Sequence, residues 1–188
     1  MIMPQKRITV FGGSRCNAES AEYQEAIKLG RLLVEANFDV CSGGYAGIME
    51  AVSLGAHQAE GHVIGMTMTQ FTGTPNSYVK TIVPNKDFYS RLEKLITESD
   101  GYIAMRGGMG TVTEISLVWN KLTTRVMPAK PLILLGDCWV KVIETLRQQL
   151  VVSEHDLSHL SFAATAEEAV AILKSRSQES EVRSQESV

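Results

Sequence analysis

The chain has 188 residues, the length of one domain, and its 44% hydrophobic and 21% charged residues are ordinary for a globular protein. A formal net charge of −3 argues against a nucleic-acid partner, and no apolar run approaches the roughly 18–20 residues of a transmembrane helix. The start of the chain lacks the apolar core of a signal peptide, so we expect a cytoplasmic protein. The three cysteines are far apart in the sequence, so we expect neither a disulfide framework nor a metal site.

Short apolar runs rich in β-forming residues alternate along the chain with longer amphipathic stretches. The runs predict strands at residues 8–11, 38–41, 62–66, 78–83, 102–105 and 131–135. The stretches predict helices around residues 23–34, at 47–57, 87–99, 110–121 and 139–150, and from a Thr165 cap to about Lys174. This alternation is typical of βαβ units. We therefore expect an α/β fold: a single Rossmann-like, doubly wound parallel sheet with helices on both faces.

The last residues differ in character from the rest of the chain. The sequence Arg-Ser-Gln-Glu-Ser occurs at 176–180 and again at 183–187, without apolar periodicity. Such a polar segment cannot bury enough surface to offset the entropy of ordering it. The sequence therefore predicts one domain over residues 1–174 and a disordered polar tail over residues 175–188. The longest predicted loop within the domain is 67–77, a length typical of lids and binding loops.

Three glycine-rich segments each follow a predicted strand and precede a predicted helix. They are Gly12-Gly13-Ser14, Gly43-Gly44-Tyr45-Ala46-Gly47 and Gly107-Gly108-Met109-Gly110-Thr111. In a parallel sheet these junctions share the carboxyl edge, where glycine backbone and helix N-termini bind phosphate groups. The segments fit neither GxGxxG nor a P-loop, which favours a mononucleotide or sugar phosphate. Tight strand-to-helix turns are the alternative interpretation of each loop taken alone.

The segment from Arg106 to Glu114 resembles PGGxGTxxE, the signature of the LOG ("Lonely Guy") phosphoribohydrolases. Similar matches occur at 10–14, 42–52, 61–65 and 88–92, so the resemblance spans about residues 7–174. It implies a nucleotide-binding enzyme that hydrolyses the N-glycosidic bond of a purine or cytokinin nucleoside 5′-monophosphate to free base and ribose 5-phosphate. It also implies a homodimer or higher homo-oligomer and no cofactor.

The same resemblance implies which residues form the site. Arg91 and Glu114 match the catalytic pair, and the predicted substrate and phosphate contacts are Gly13, Ser14, Gly43, Gly44, Arg106, Gly107, Gly108, Met109, Gly110 and Thr111. Glycosidic cleavage passes through an oxocarbenium-like transition state, so the Glu114 carboxylate would stabilise charge and activate water, with Arg91 orienting it or the substrate. From spacing alone, Thr111-x-x-Glu114 also fits a helix capping box.

Two departures from the signature open a second hypothesis. Arg106 stands where the family has proline, and Leu92 stands where it has lysine. Arg106 could reach the phosphate or fill the pocket. The segments 42–45 and 118–120 resemble a branch that includes molybdenum cofactor carrier proteins. The alternative function is therefore that of a carrier, which binds a phosphate-bearing ligand without cleaving it.

Overall fold

The structure is a computed structural model that describes the backbone of residues 5–185 and the side chains of residues 5–176. Its strands are β1 (Arg7–Phe11), β2 (Asp39–Ser42), β3 (Val63–Met68), β4 (Thr81–Asn85), β5 (Gly101–Ala104), β6 (Leu132–Leu135) and β7 (Leu160–Ala163). Its helices are α1 (Ala21–Glu35), α2 (Ile48–Gln58), α3 (Phe88–Thr97), α4 (Met109–Thr123), α5 (Cys138–Gln149), α6 (Glu154–Leu157) and α7 (Ala166–Gln185).

The seven strands form one parallel sheet in the order β4-β3-β2-β1-β5-β6-β7. From β1 the chain builds outward to β4, then returns to β5 on the other side of β1 and builds outward to β7. The strand order therefore reverses between β1 and β5, where Phe11 pairs with Ala104 at the last register position. In an open parallel sheet, this reversal creates a crevice beyond the carboxyl ends of the strands.

Helices cover both faces of the sheet and bury a separate apolar cluster on each. One cluster contains Leu29 of α1 and Leu173 of α7, and the other contains Leu95 of α3. Alternate residues of β1 point to opposite faces, so that Val10 joins the first cluster and Phe11 the second. This arrangement confirms the predicted α/β, doubly wound, Rossmann-like fold.

Two elements near the carboxyl end were not predicted, namely α6 and β7. Strand β7 has only four residues, and its two central ones, Ser161 and Phe162, are not buried. It is an edge strand that pairs in parallel with β6, from Leu132↔Leu160 to Leu135↔Ala163. Because only the ends of this strand are buried, it has no continuous apolar run for the sequence pattern to reveal.

Helix α7 begins as predicted but ends later. The Glu168 N–H donates to Thr165 Oγ1 at 3.3 Å, which confirms the predicted cap. The helix continues to Gln185 and does not end near Lys174, so its backbone enters the segment expected to be disordered. The part of that tail after residue 185 lies outside the described residues. The domain boundary at residue 174 and the disorder of the tail stay predictions.

Candidate functional site

A cavity of about 1050 Å³ opens where the strand order reverses, bordered by the segments that follow β1 and β5. Most of the predicted site residues line it: Gly13, Ser14, Arg91, Arg106, Gly107, Gly108, Met109, Gly110, Thr111 and Glu114. The predicted residues outside this lining are Gly43 and Gly44. The structure thus brings together residues from three separate stretches of the sequence.

The loops after β1 and β5 contact each other directly. The Gly13 N–H donates to the Arg106 carbonyl at 3.2 Å, and the Ile48 N–H donates to the Gly13 carbonyl at 2.9 Å. A Cβ at position 107 would lie 2.2 Å from Thr111 Oγ1 and 2.9 Å from the nitrogen of Gly13. Only glycine at 107 allows the two backbones to approach so closely.

Helix α4 directs an uncapped N-terminus toward the cavity. It begins at Met109 after the N-cap Gly108, which has no side chain to offer as a cap. The Val112 N–H donates to the Gly108 carbonyl at 3.1 Å, so the amides of residues 109–111 have no acceptor within the helix. A Cβ at Gly108 or Gly110 would meet nothing within 4 Å. Free amides, open space and the positive end of the helix dipole together suit a phosphate group.

Thr111 lies within the first turn of α4 and is not its N-cap. The capping-box interpretation of Thr111 and Glu114 is therefore wrong. Both side chains line the cavity, and Glu114 follows Thr111 by three residues on the same helical face. Glu114 consequently lies one turn further along α4 than the free amides.

Arg91 and Glu114 meet in the cavity wall. Arg91 lies on α3, and its Nε donates to the Met66 carbonyl at 2.6 Å, which fixes the guanidinium. Arg91 Nη1 is 3.8 Å from Glu114 Oε1, and the two side chains are only 9% and 13% exposed. This separation is an ion-pair contact longer than a hydrogen bond. The carboxylate oxygens of Glu114 therefore remain available to a ligand or a water molecule.

Burial controls the protonation of Glu114. Loss of hydration raises the pKa of this carboxyl group to about 7, although the Arg91 guanidinium lowers it. The cost of burying the charged form thus outweighs the attraction of the neighbouring arginine. Both protonation states are populated near neutral pH, and a group of this kind is suited to proton transfer.

Gly43 lies against the Arg91 guanidinium, and neither Gly43 nor Gly44 lines the cavity. A Cβ at Gly43 would be 1.9 Å from Arg91 Nη2 and 2.6 Å from Met49 Sδ. Gly44 packs against Gly65: a Cβ added at Gly44 would lie 3.0 Å from the Cα of Gly65. These two glycines, predicted from the sequence as substrate and phosphate contacts, therefore lie outside the cavity lining. Gly43 instead leaves room for the guanidinium.

An apolar wall of the cavity was not singled out from the sequence. It consists of Tyr45, Met49, Met68, Phe71 and Phe88. The rings of Tyr45 and Phe71 meet edge to face with centroids 4.9 Å apart, and the Met68 N–H donates to Tyr45 Oη at 2.9 Å. The predicted long loop at 67–77 was the available signal, since it supplies Phe71. We call these five residues the apolar wall.

The sequence model of the SLOG cluster4 family matches residues 5–170. The chain belongs to this family. It is 34% identical to the cytokinin riboside 5′-monophosphate phosphoribohydrolase LOG7 of Arabidopsis thaliana, over 62% of this chain and 56% of the relative. It is 30% identical to the enzyme LOG of the same description from Oryza sativa subsp. japonica, over 94% of this chain and 76% of the relative. The chain thus spans little more than half the length of the Arabidopsis relative.

Solved structures share the fold of this SLOG protein. The molybdenum cofactor binding protein of the phototrophic bacterium Rippkaea orientalis matches with a TM-score of 0.74 and 25% identity, over 93% of this chain and 98% of that one. The molybdenum cofactor carrier protein of Chlamydomonas reinhardtii matches with a TM-score of 0.68 and 24% identity, over 92% of this chain and 98% of that one. The second likeness concerns the fold alone.

Arg106, which replaces the proline of the LOG signature, is held at the rim of the cavity. Its Nη1 donates to Glu22 Oε1 at 3.0 Å, and the two side chains are 71% and 41% exposed. The guanidinium is thus bound by α1, the helix that carries Glu22, and it does not join the pair of Arg91 and Glu114.

Two kinds of feature are absent from the part of the SLOG chain that the structure describes. No group of three or more His, Cys, Asp or Glu side chains in this part could hold a metal ion. His155 and His159 are four residues apart, a spacing that would suit two ligands of one metal ion, and their rings meet edge to face with centroids 5.1 Å apart. The described residues supply no third ligand beside them. No helix of residues 5–185 has both the length and the apolar character required to cross a membrane.

The contact between the two loops predicts different outcomes for alanine at positions 107 and 108. Gly107→Ala should lower the free energy of unfolding by about 1–3 kcal/mol, because the new methyl group overpacks the loop. Gly108→Ala should lower it by only about 0.5–1 kcal/mol, since its Cβ meets nothing within 4 Å and only the preference of the N-cap position for glycine over alanine is lost. Urea unfolding of both variants measures the difference. Equal losses would contradict the described contact.

Proposed function

We propose that this SLOG protein hydrolyses the N-glycosidic bond of a nucleoside 5′-monophosphate with a purine or cytokinin base, and releases free base and ribose 5-phosphate. One observation carries the proposal: a buried carboxyl group, Glu114, lies beside a fixed arginine and one helical turn from free amides that suit a phosphate. The similarity to plant phosphoribohydrolases supports the same reaction.

The arrangement of the cavity supports one orientation of the substrate. The 5′-phosphate binds the amides of residues 109–111 at the start of α4, where glycine leaves open space. The ribose then extends along α4 toward Glu114. The planar base occupies the remaining volume against the apolar wall, where Phe71 and Phe88 are 52% and 39% exposed and offer ring surfaces for stacking.

In this orientation Glu114 acts on the ribose carbon that bears the base. As the C1′–N bond breaks, its electron pair leaves with the base and positive charge develops on the ribose. The ionised carboxylate stabilises this charge and takes a proton from the water molecule whose oxygen bonds to C1′. The departing base takes up one proton and leaves as neutral free base, and Glu114 gives up its proton again, which restores the carboxylate. Arg91, held by the Met66 carbonyl, positions the carboxylate and the ribose hydroxyl groups.

Base release by the purified protein tests the proposal. We expect adenosine, guanosine or cytokinin riboside 5′-monophosphate to yield free base, measured by liquid chromatography, together with an equal amount of ribose 5-phosphate. The corresponding nucleosides, which lack the phosphate that α4 would bind, should be cleaved at least about 100-fold more slowly. Binding of all three monophosphates without any base release would overturn the proposal.

That outcome would favour a second candidate, a carrier of a phosphate-bearing ligand such as the molybdenum cofactor. Its support is the likeness to the Rippkaea orientalis protein over nearly the whole of both chains. The cavity of about 1050 Å³ also lies at the upper end of the range of small-molecule sites, roughly 300–1000 Å³, and has room for a bulky ligand. A carrier would purify with its ligand intact, as native mass spectrometry would detect.

We further infer a homodimer or higher homo-oligomer in the cytoplasm, with a small-molecule partner and no nucleic acid. The net charge of −3 supports the last point. Exposed apolar side chains support self-association: Tyr89 of α3 is 81% exposed and Met109 of α4 is 77% exposed.

A further inference from the structure

Two arginines line the side of the cavity that borders α1, apart from the buried pair. Arg106 lies two residues after the end of β5, and Arg15 lies in the loop after β1. The hydrogen bond from the Gly13 N–H to the Arg106 carbonyl joins these two loops two residues before Arg15, and both arginines line the same cavity. This side of the cavity, with Arg15 and Arg106, is the arginine rim.

The charges of the arginine rim are unevenly balanced. Within residues 5–176, Arg106 has one acidic partner, Glu22, at 3.0 Å, whereas no carboxylate and no hydrogen-bond acceptor contacts the Arg15 guanidinium. An ion pair as exposed as Arg106 and Glu22 contributes little stability. The rim therefore carries one unpaired positive charge and a second that a stronger anion can recruit.

The arginine rim is distinct from the site at the start of α4. The amides of residues 109–111 need no cationic side chain to accept a phosphate, and Arg106 is held by α1 instead of α4. A guanidinium presents paired N–H donors that match two oxygens of a phosphate group. The cavity thus offers two separate sets of donors for anions, and a nucleoside monophosphate would use only one of them.

We propose that the arginine rim is a second phosphate subsite, so that a nucleotide with two phosphate groups binds this cavity more tightly than a nucleoside monophosphate does. This inference rests on the phosphate position of the proposed function. On binding, the second phosphate replaces Glu22 at Arg106 and also engages Arg15. The second group could be attached to the first, as in a 5′-diphosphate, or to another ribose oxygen, as in a 3′,5′-bisphosphate, and both present the same chemistry to the rim.

Calorimetric titration of the full chain tests the subsite with three ligands: AMP, ADP and adenosine 3′,5′-bisphosphate. The Glu114→Gln variant is used, so that turnover does not disturb the measurement. At least one two-phosphate ligand should bind about tenfold or more tightly than AMP, the effect expected for one added charge-assisted contact. The ligand with the larger gain identifies where the second phosphate is attached.

Variants in the same Glu114→Gln background distinguish contacts made by the arginine rim from a non-specific attraction between a more negatively charged ligand and positive charges elsewhere on the protein. Arg15→Gln and Arg106→Gln should each remove most of the tenfold gain, and Glu22→Gln should increase it because the competing carboxylate is gone. Arg31→Ala removes an exposed arginine from α1 away from the cavity and should preserve the gain. Circular dichroism identifies any variant that fails to fold.

Three results would overturn the inference. The first is equal affinity for all three ligands, and the second is a gain in affinity for two-phosphate ligands that survives in the Arg15→Gln/Arg106→Gln double variant. The third is a loss of that gain in Arg31→Ala as large as in Arg15→Gln or Arg106→Gln. Each is a binding result and does not depend on base release. The proposed hydrolysis can therefore fail while the second subsite is upheld, and the reverse also holds.

Discussion

Glu114→Gln is expected to lower the rate of base release by about 100- to 1000-fold while the affinity for nucleotide changes little. The substitution keeps the size of the side chain but removes the negative charge and the proton acceptor. The phosphate and the base are bound elsewhere, by the amides of α4 and by the apolar wall, so affinity for the unreacted substrate does not depend on the carboxylate. Single-turnover rates and calorimetric Kd values measure the two quantities separately.

The pH profile provides an independent check on the role of Glu114. Because the ionised form acts and burial raises the pKa of this carboxyl group to about 7, kcat/KM of the natural protein should rise as pH increases through about 7. Glu93→Gln, on an exposed position of α3, is the matched control and should keep both rate and profile. Weaker nucleotide binding with an unchanged single-turnover rate would contradict the catalytic assignment.

The general architecture of the site follows from local sequence patterns. Alternating strands and helices predict a parallel sheet, and glycine at residues 13 and 107, within three residues of the ends of strands, predicts a crevice at its carboxyl edge. These features depend on residues that are close together in the sequence, so the sequence alone can reveal them. The pairing of Arg91 with Glu114 crosses from α3 to α4, and no local pattern predicts it. It was available only through the resemblance to the LOG signature.

Contacts between distant parts of the chain account for what the sequence could not reveal. Gly43 matches a glycine-rich phosphate loop, yet its function is to leave space for Arg91, which lies on another helix. Arg106 could have filled the pocket, but Glu22 on α1 holds it at the rim. Phe71 becomes a wall residue because the Tyr45 ring supports it. In each case the partner is at least about 25 residues away, and only the folded chain identifies it.

The same substitution, Glu114→Gln, is expected to stabilise the protein at alkaline pH. The pKa of this carboxyl group is about 7 in the folded protein against an ordinary value of 4.5, so the folded state binds the proton more tightly than the unfolded chain. Stability of the natural protein therefore falls as pH rises from about 4.5 to about 7. A pKa shift of this size lowers the free energy of unfolding above pH 7 by about 3 kcal/mol.

Urea unfolding between pH 4.5 and pH 8.5 measures this effect. Glutamine does not ionise, so the variant should exceed the natural protein by up to about 3 kcal/mol at pH 8.5, and the gap should shrink toward zero near pH 4.5. Glu93→Gln should follow the natural protein at every pH. A Glu114→Gln variant that is less stable at pH 8.5 would mean that Arg91 stabilises the ionised carboxylate more than burial destabilises it. With the expected result, the burial that gives Glu114 a pKa suited to catalysis also lowers the stability of the fold, as is common at functional sites.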